Sequence, residues 1–193
     1  MVFLPIIDRT TAVPVRTRFA PSPNGALHLG HAFSALCARD FAHAHGGQFL
    51  LRIEDIDETR CRPEFTEAIY RDLEWLGLDW DGPVMIQSER GALYQAQVRA
   101  LADKGLAYRC WCTRAEIEAA AGAPHDGLPA LYPGTCKTRA APYPDRPPCW
   151  RLDMDAVQKR ITTPLDWQED TAIAVDLAAV GDFVIERKDA LSS

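Results

Sequence analysis

The sequence lacks any hydrophobic run that approaches the roughly 20 residues a helix needs to cross a bilayer. The apolar start Met1–Ile7 is expected to make a poor secretion signal, because it is short, contains Pro5 and carries no basic residue. Internal repeats and low-complexity segments are absent as well. With 47% hydrophobic and 25% charged residues, the chain has the composition of an ordinary globular protein, and a cytoplasmic location is expected.

The chain has fewer basic than acidic residues, 21 against 27, and its formal net charge is −6. This balance argues against a broad nucleic-acid surface. The charge is nevertheless uneven: Ile53–Asp81 holds ten acidic and three basic residues, whereas Lys137–Arg151 holds four basic and one acidic. An RNA partner is therefore expected to approach the second of these segments and to avoid the first.

The spacing of apolar residues, Pro and Gly predicts alternating strands and helices. Strands are expected at Val15–Ala20 and Phe49–Ile53, and helices from Leu29 to Gly46, from Pro63 to Gly77, and from about Gly91 to Lys104 with Ser88 as cap. The residues expected to face inward are Leu29, Phe33, Leu36 and Phe41, then Phe65, Ile69, Leu73 and Leu76, then Tyr94, Val98 and Leu101. This order predicts an α/β fold with a parallel sheet.

The second half of the chain has a different pattern. Tyr108–Cys149 is rich in Pro, Gly and Cys, and it is expected to form a small insert. Extended segments are expected again at Trp150–Met154, Ala172–Leu177 and Asp182–Arg187.

The segment Arg18–His31 has the pattern of an anion site. A basic residue ends a strand, a Pro-rich turn follows, and His28-Leu-Gly-His31 opens a helix whose N-terminus favours negative charge. Glu54 follows the next strand, and the carboxyl ends of parallel strands share one sheet edge. Arg18 there can hold a carboxylate and Glu54 an ammonium group, so a free amino acid would fit beside a nucleotide held by the two histidines.

Taken singly, these residues have ordinary readings. A His-x-x-His pair is more often two unrelated histidines or weak metal ligands, Arg18 alone would be a surface ion-pairing residue, and Glu54 a solvated strand end. The order of the whole string favours the functional interpretation.

Six cysteines in such a chain indicate thiols or metal ligands rather than a disulfide framework. Cys110, Cys112 and Cys136 offer three soft ligands suited to tetrahedral zinc, and spacing alone favours Cys149 or His125 as the fourth. Cys37 and Cys61 are isolated and are expected to be free thiols.

The motifs resemble class I aminoacyl-tRNA synthetases of the glutamate type. Arg18-Phe-Ala-Pro-Ser-Pro-Asn-Gly is similar to their first-strand signature, and His28-Leu-Gly-His31 to their "HIGH" motif. Leu51–Asp57, Trp75–Trp80 and Gln87–Arg90 continue the likeness, which extends from Val15 to Lys188. The resemblance implies a Rossmann-like catalytic domain, an ATP-binding motif at His28, Leu29, Gly30 and His31, and glutamate-binding residues at Arg18, Phe19, Ala20, Pro21, Ser22 and Glu54.

The implied chemistry is attack of the glutamate carboxylate on the α-phosphorus of ATP, with Mg²⁺, giving glutamyl-adenylate and pyrophosphate. The histidines would stabilise charge on the α-phosphoryl group, and no general base is needed because a carboxylate is already deprotonated near pH 7.

The cysteine pattern is most similar to the glutamyl-queuosine tRNA(Asp) synthetases within this family. By this resemblance Cys110, Cys112, Tyr132 and Cys136 hold a structural zinc ion, and glutamate is transferred to queuosine in the anticodon of tRNA(Asp) without tRNA being needed for activation. The domains expected are an extension (1–14), the first half of the catalytic domain (15–107), a zinc insert (108–149) and the start of its second half (150–193).

The sequence departs from the family in lacking a Lys-x-Ser-Lys loop and the later strands with further glutamate-contacting Tyr and Arg residues. We therefore expect a truncated chain, with the second half of the fold missing and impaired activity, since a lysine that stabilises leaving pyrophosphate contributes on the order of a few kcal/mol. Two alternatives stay open: a catalytic-domain fragment of an ordinary glutamyl-tRNA synthetase, and a non-catalytic remnant that binds zinc or RNA.

Overall fold

The structure is a computed structural model that describes residues 14–121, 131–137, 143, 145–168 and 171–188. His125 lies outside the described residues. The chain divides into two compact units, Met1–Arg90 and Gly91–Ser193. The domain bounds expected from the sequence differ from this division and stay a prediction. No helix in the described part of the chain is long and apolar enough to span a bilayer.

The first unit is built on a three-stranded parallel sheet with strand order β1-β2-β3. Its elements in chain order are β1 (Arg16–Phe19), α1 (Leu29–Ala44), β2 (Gln48–Ile53), α2 (Pro63–Trp75), β3 (Met85–Ile86) and a 3₁₀ turn (Ser88–Arg90). The predicted strand–helix–strand–helix order and parallel sheet are thus confirmed. A helix connects the two strands of each parallel pair, so the carboxyl ends of all three strands lie on one edge of the sheet.

The core of this unit comes from alternate residues of β2 and from one face of α2. Phe49, Leu51 and Ile53 are buried, as are Ile69 and Leu73 on the helix. The inward stripe predicted for α1 is wrong at two positions, because Leu29 is 86% exposed and Phe33 is 60% exposed. The fully buried α1 residues are Ala35 and Ala42, since small side chains let the helix backbone approach the sheet closely.

The connection from α1 to β2 requires glycine. Gly46 has a φ of 62°, which residues with a Cβ rarely adopt. A Cβ on Gly47 would lie 2.2 Å from the carbonyl oxygen of Val15, which accepts the Gln48 N–H at 2.9 Å. The chain therefore turns tightly enough for β2 to enter the sheet directly beside β1.

The second unit contains an antiparallel sheet with strand order β4-β5-β8 and a separate antiparallel pair, β6-β7. Its elements are α3 (Gly91–Asp103), β4 (Ala107–Cys110), α4 (Arg114–Ala121), β5 (Cys149–Leu152), α5 (Met154–Arg160), β6 (Asp166–Gln168), β7 (Ala172–Ala174), α6 (Leu177–Val180) and β8 (Val184–Glu186). The strand predicted to reach Met154 ends earlier, because the Asp153 carboxylate accepts the Ala156 N–H and caps α5.

Candidate active site and candidate metal centre

A cavity of about 680 Å³ lies at the carboxyl end of β1 in the first unit. It is lined by Arg18, Phe19, Ala20, Pro21, Ser22, Asn24, His31 and Ser34. The structure thus brings five of the six predicted glutamate-site residues together with one of the two predicted histidines. Asn24 and Ser34 were missed in the sequence, although Ser34 follows His31 by three positions and so shares its helix face.

The two histidines interlock at the start of α1. His28 is the N-cap, and its Nδ1 accepts the Gly30 N–H at 3.1 Å. The His28 N–H in turn donates to Nδ1 of His31 at 3.1 Å, and the ring centroids lie 3.8 Å apart. Because both Nδ1 atoms accept, the hydrogen of each neutral ring is on Nε2.

The environment of His31 favours this neutral form. Burial and, to a smaller extent, the neighbouring His28 lower the pKa of His31 below its usual value. A side chain at Gly30 would crowd the pair, because a Cβ there would lie 3.0 Å from the His28 ring. The two Nδ1 atoms are used at the start of α1, and Gly30 leaves room for both rings. The Nε2–H groups of the two histidines can therefore donate to an anion.

Glu54 lies at the carboxyl end of β2, one strand away from Arg18. Its N–H donates to the Pro21 carbonyl at 3.0 Å, so its backbone is tied to the cavity wall, although its side chain is not among the lining groups. Its carboxylate is paired with the Arg52 guanidinium.

Asp55, the residue after Glu54, is hydrogen-bonded to the turn that follows β3. Asp55 accepts from the Ser88 N–H at 2.9 Å and from the Ser88 hydroxyl at 2.6 Å. Ser88 was predicted to cap α3, and this is wrong because its hydroxyl is used by Asp55. The contact holds the ends of β2 and β3 together.

A three-cysteine cluster forms the candidate metal centre of the second unit. The Sγ atoms of Cys110, Cys112 and Cys136 all lie within 4.8 Å of one another, and those of Cys112 and Cys136 are 3.5 Å apart. Cys110 ends β4, Cys112 follows two residues later, and Cys136 lies in a turn.

The Tyr132 phenol oxygen completes a four-atom group with these thiols. It lies 3.3 Å from Sγ of Cys110 and 3.6 Å from Sγ of Cys112, and it accepts the Cys136 N–H at 2.9 Å. A zinc tetrahedron with Zn–S of about 2.3 Å and Zn–O of about 2.0 Å separates its ligand atoms by about 3.5–3.8 Å. The three separations of 3.3, 3.5 and 3.6 Å lie close to that range, so the group is compact enough to bind a small cation with four ligands.

Cys149 lies beside the cluster rather than in it. Its thiol donates to the Cys110 carbonyl at 3.3 Å. Hydrogen bonding from Cys149 is the main cause that lowers the pKa of Cys110 to about 4, whereas burial raises the pKa of Cys112 to about 11 and also raises that of Tyr132. A bound divalent cation favours the ionised form of every ligand and would remove this difference.

Cations surround the cluster. The Arg151 guanidinium lies 4.0 Å from the centre of the Tyr132 ring, and Lys188 donates to the carbonyls of Trp111 and Cys112 at 3.0 and 3.1 Å. These charges would offset the negative charge of three thiolates and a phenolate.

Lys137 links the loop that carries Cys136 to the rest of the second unit. Its ammonium group contacts Asp153, Asp155 and the buried Asp182 at 3.0, 2.7 and 3.0 Å. Asp182 also accepts from the Tyr108 hydroxyl at 2.6 Å. The loop that carries Cys136 is thus held to α5 and to the segment before β8 by a charged network.

Comparison with known proteins identifies the family. The family model described as tRNA synthetases class I (E and Q), catalytic domain, matches residues 14–131. The chain belongs to this family. The match includes the segment Arg18–His31, Glu54, and the first two cysteines of the candidate metal centre, Cys110 and Cys112.

Similar class I synthetases extend the match beyond residue 131. A glutamyl-Q tRNA(Asp) synthetase from Rhodobacter capsulatus is 44% identical in an alignment of 187 positions that covers 90% of this chain and 67% of the relative. One from Geobacter sulfurreducens is 41% identical and covers 96% of this chain and 58% of the relative. A glutamate–tRNA ligase from Halorhodospira halophila is 50% identical over 63% of this chain and 28% of the relative.

A solved class I synthetase has the same fold. The glutamate tRNA ligase of Elizabethkingia meningosepticum, determined in complex with its amino acid, matches with a TM-score of 0.71 and 28% identity over 94% of this chain and 40% of that chain. The family predicted from the motifs and its α/β catalytic fold are therefore confirmed. The chain spans between about half and two thirds of the length of the glutamyl-Q relatives matched over most of it.

Proposed function

We propose that this chain belongs to an enzyme that activates glutamate with ATP and transfers it to queuosine in the anticodon of tRNA(Asp). The observation that carries the proposal is the cavity at the carboxyl end of β1, which joins Arg18–Ser22 to the interlocked histidines. The names of relatives that match about nine tenths of the chain support the choice of RNA.

In this proposal the glutamate substrate lies against the end of β1. The exposed Arg18 guanidinium would hold a substrate carboxylate with two parallel N–H···O bonds. The Glu54 carboxylate would accept from the ammonium group, and Phe19, Ala20, Pro21 and Ser22 would form the wall of the cavity. A glutamate substrate has both groups: a carboxylate for Arg18 and an ammonium group for Glu54.

The histidines would bind the triphosphate of ATP together with Leu29 and Gly30 at the start of α1. One carboxylate oxygen of glutamate forms a bond to the α-phosphorus, the bond from that phosphorus to the bridging oxygen breaks, and pyrophosphate leaves. The Nε2–H groups of His28 and His31 would donate to the α-phosphoryl oxygens as their negative charge increases. Mg²⁺ would accompany ATP as part of the substrate.

We further propose that Cys110, Cys112, Tyr132 and Cys136 hold one zinc ion per chain. The close spacing of the four atoms supports this set over Cys149, whose thiol donates to a backbone carbonyl, and His125 is outside the described residues. Four protein ligands leave no open position, so zinc here would stabilise the fold and take no part in the reaction.

A glutamyl-tRNA synthetase is the second candidate. The identity to the Halorhodospira halophila ligase favours it, but that similarity covers 63% of the chain, against 90% or more for two glutamyl-Q relatives. Transfer of glutamate to tRNA(Asp) that contains queuosine supports the first proposal, and transfer to tRNA(Glu) supports the second.

The experiment is glutamate-dependent ATP–pyrophosphate exchange by the 193-residue chain without RNA. We expect exchange at a reduced rate, because the sequence lacks a Lys-x-Ser-Lys loop, and we expect Glu54→Gln to lower kcat/KM for glutamate further by about a hundredfold, because the substrate ammonium loses its charged partner. Glu58→Gln, which changes an exposed carboxylate in the same loop, is the matched control. No exchange by a folded, metal-loaded chain would contradict the proposal and favour a non-catalytic remnant.

A further inference from the structure

We infer that Arg52 is a positioning residue of the proposed glutamate site, acting by fixing the Glu54 carboxylate for the substrate ammonium group. The inference rests on the proposed function, and it assigns a role to a residue outside the predicted site. Its starting point is the contact between one guanidinium nitrogen, Nη2, and one carboxylate oxygen, Oε1.

Strand geometry places the two side chains together. Successive residues of a strand point to opposite faces, so Phe49, Leu51 and Ile53 enter the core, and the alternate positions occupied by Arg52 and Glu54 share the other face. Their side chains are 26% and 30% exposed. A pair this shielded from water is screened less than a surface ion pair, so its geometry is held more firmly.

The backbone around Glu54 is fixed independently of Arg52. The Glu54 N–H is bonded to Pro21 at the end of β1, and the next residue, Asp55, is bonded twice to Ser88 after β3. The freedom that remains at Glu54 is rotation about its side-chain bonds. Arg52 restricts that rotation by holding Oε1, and among the described residues no hydrogen bond engages Oε2.

Arg52 is also incompletely satisfied as a purely structural residue. Its Nε is buried and has no hydrogen-bond partner among the described residues. An unpaired buried N–H is costly, so the hydrogen bonding of Nε does not explain why this guanidinium is held here. Among the described residues, the ion-pair partner of the Arg52 guanidinium is the proposed ammonium-binding carboxylate.

The first test compares Arg52→Gln and Arg52→Lys in glutamate-dependent ATP–pyrophosphate exchange. We expect Arg52→Gln to raise KM for glutamate about tenfold while KM for ATP stays unchanged, because only the orientation of Glu54 is lost. Arg52→Lys should restore part of the effect, since it keeps the charge. Arg16→Gln, on the neighbouring strand and paired with Gln48, is the matched control and should change neither constant.

A double-mutant cycle shows whether Arg52 acts through Glu54. In the Glu54→Gln background, Arg52→Gln should cause no further loss, because the carboxylate that it positions is gone. An equal rise in glutamate KM in both backgrounds would mean that Arg52 contacts the substrate itself, and this would overturn the inference. A rise in KM for ATP as well would indicate a general loss of structure and would also overturn it.

A measurement without turnover separates this inference from the proposed function. NMR relaxation of the Glu54 side chain in the ligand-free chain should show a lower order parameter in Arg52→Gln than in the wild type or in Arg16→Gln. An unchanged order parameter would contradict positioning by Arg52 even in an active chain. Conversely, loosening of Glu54 in a chain that performs no exchange would contradict the proposed function alone.

Discussion

Asp57 shows how strongly a short turn can change the chemistry of a single residue. Its carboxylate accepts from the Thr59 hydroxyl at 2.6 Å and pairs with Arg60. The Thr59 hydrogen bond, followed by that of Arg60, lowers the pKa of Asp57 to about 2. The ionised form is therefore the one that holds the turn after β2 in place.

We expect the Asp57 carboxyl carbon to titrate at about pH 2 in an NMR experiment. Because this pKa is lowered on folding, the contribution of Asp57 to stability is complete above about pH 4 and is lost as the pH falls through about 2. Thr59→Val should raise the pKa towards the ordinary value of about 4, whereas Thr66→Val, outside the turn, should not. An identical titration in Thr59→Val would contradict the assigned cause.

At the residue scale, the sequence predicted the cavity residues better than their contacts. The order Arg18, Pro-Ser-Pro, His28-Leu-Gly-His31 indicated an anion site, and the structure does bring Arg18–Ser22 and His31 to one cavity. The pairing of Glu54 with Arg52 could not be predicted, because a charged residue at a strand end has several possible partners. Tyr132 was expected as a ligand only through the family resemblance, since tyrosine is rarely a zinc ligand.

At the scale of elements, α1 is the clearest example of a helix that packs through small residues. Ala35 and Ala42, seven positions apart, are both fully buried, while the larger Leu29 and Phe33 of the same helix face solvent. Periodicity with Pro and Gly signals sufficed to predict where α1, α2 and β2 lie. It could not predict which apolar face of α1 is inward, because hydrophobicity ranks Leu29 and Phe33 above alanine.

This packing predicts different effects for the same substitution at two positions of α1. Ala42→Leu should lower the free energy of unfolding by about 1–3 kcal/mol, because added volume in a packed core forces neighbours to move. Ala44→Leu, at an exposed position two residues later, should change it by no more than about 0.5 kcal/mol. Urea unfolding followed by circular dichroism measures both, and equal effects would contradict the close approach of α1 to the sheet.

At the scale of the whole molecule, the two compact units have separate cores of different kinds. The first unit buries apolar side chains from its sheet and two helices. The cluster in the second unit consists of Cys110, Trp111, Cys136 and Cys149 with partly buried tyrosines around it. A core made largely of thiols would depend on the proposed zinc ion far more than an aliphatic core depends on any ligand.

Metal loss should therefore affect one unit more than the other. Cys112→Ser is expected to reduce bound zinc from about one equivalent to nearly none, as measured by mass spectrometry, whereas Cys37→Ser should retain it. In hydrogen exchange, Cys112→Ser should lose protection in β4 and β5 while β2 and α2 keep theirs. Full zinc content in Cys112→Ser, or equal loss of protection in both units, would contradict a structural site at this cluster.

The charge that the chain offers to RNA is smaller than a count along the sequence indicates. Two basic residues of Lys137–Arg151 are paired with carboxylates: Lys137 contacts three of them, and Arg146 pairs with Glu116. Approach of RNA to this segment stays a prediction. Counting charge does not reveal such partners, because they come from distant parts of the sequence.

The strand pairings of this protein also determine how it must fold. Arg18 pairs with Leu50, Ile53 with Ile86, Cys110 with Cys149, and Trp150 with Glu186, so each partner is more than thirty residues away. Closing such long loops precedes any gain from pairing, so folds of this kind form more slowly than helical bundles with mainly local contacts. During that interval the apolar segment Gln48–Ile53 has no partner strand and is exposed to other unfolded chains.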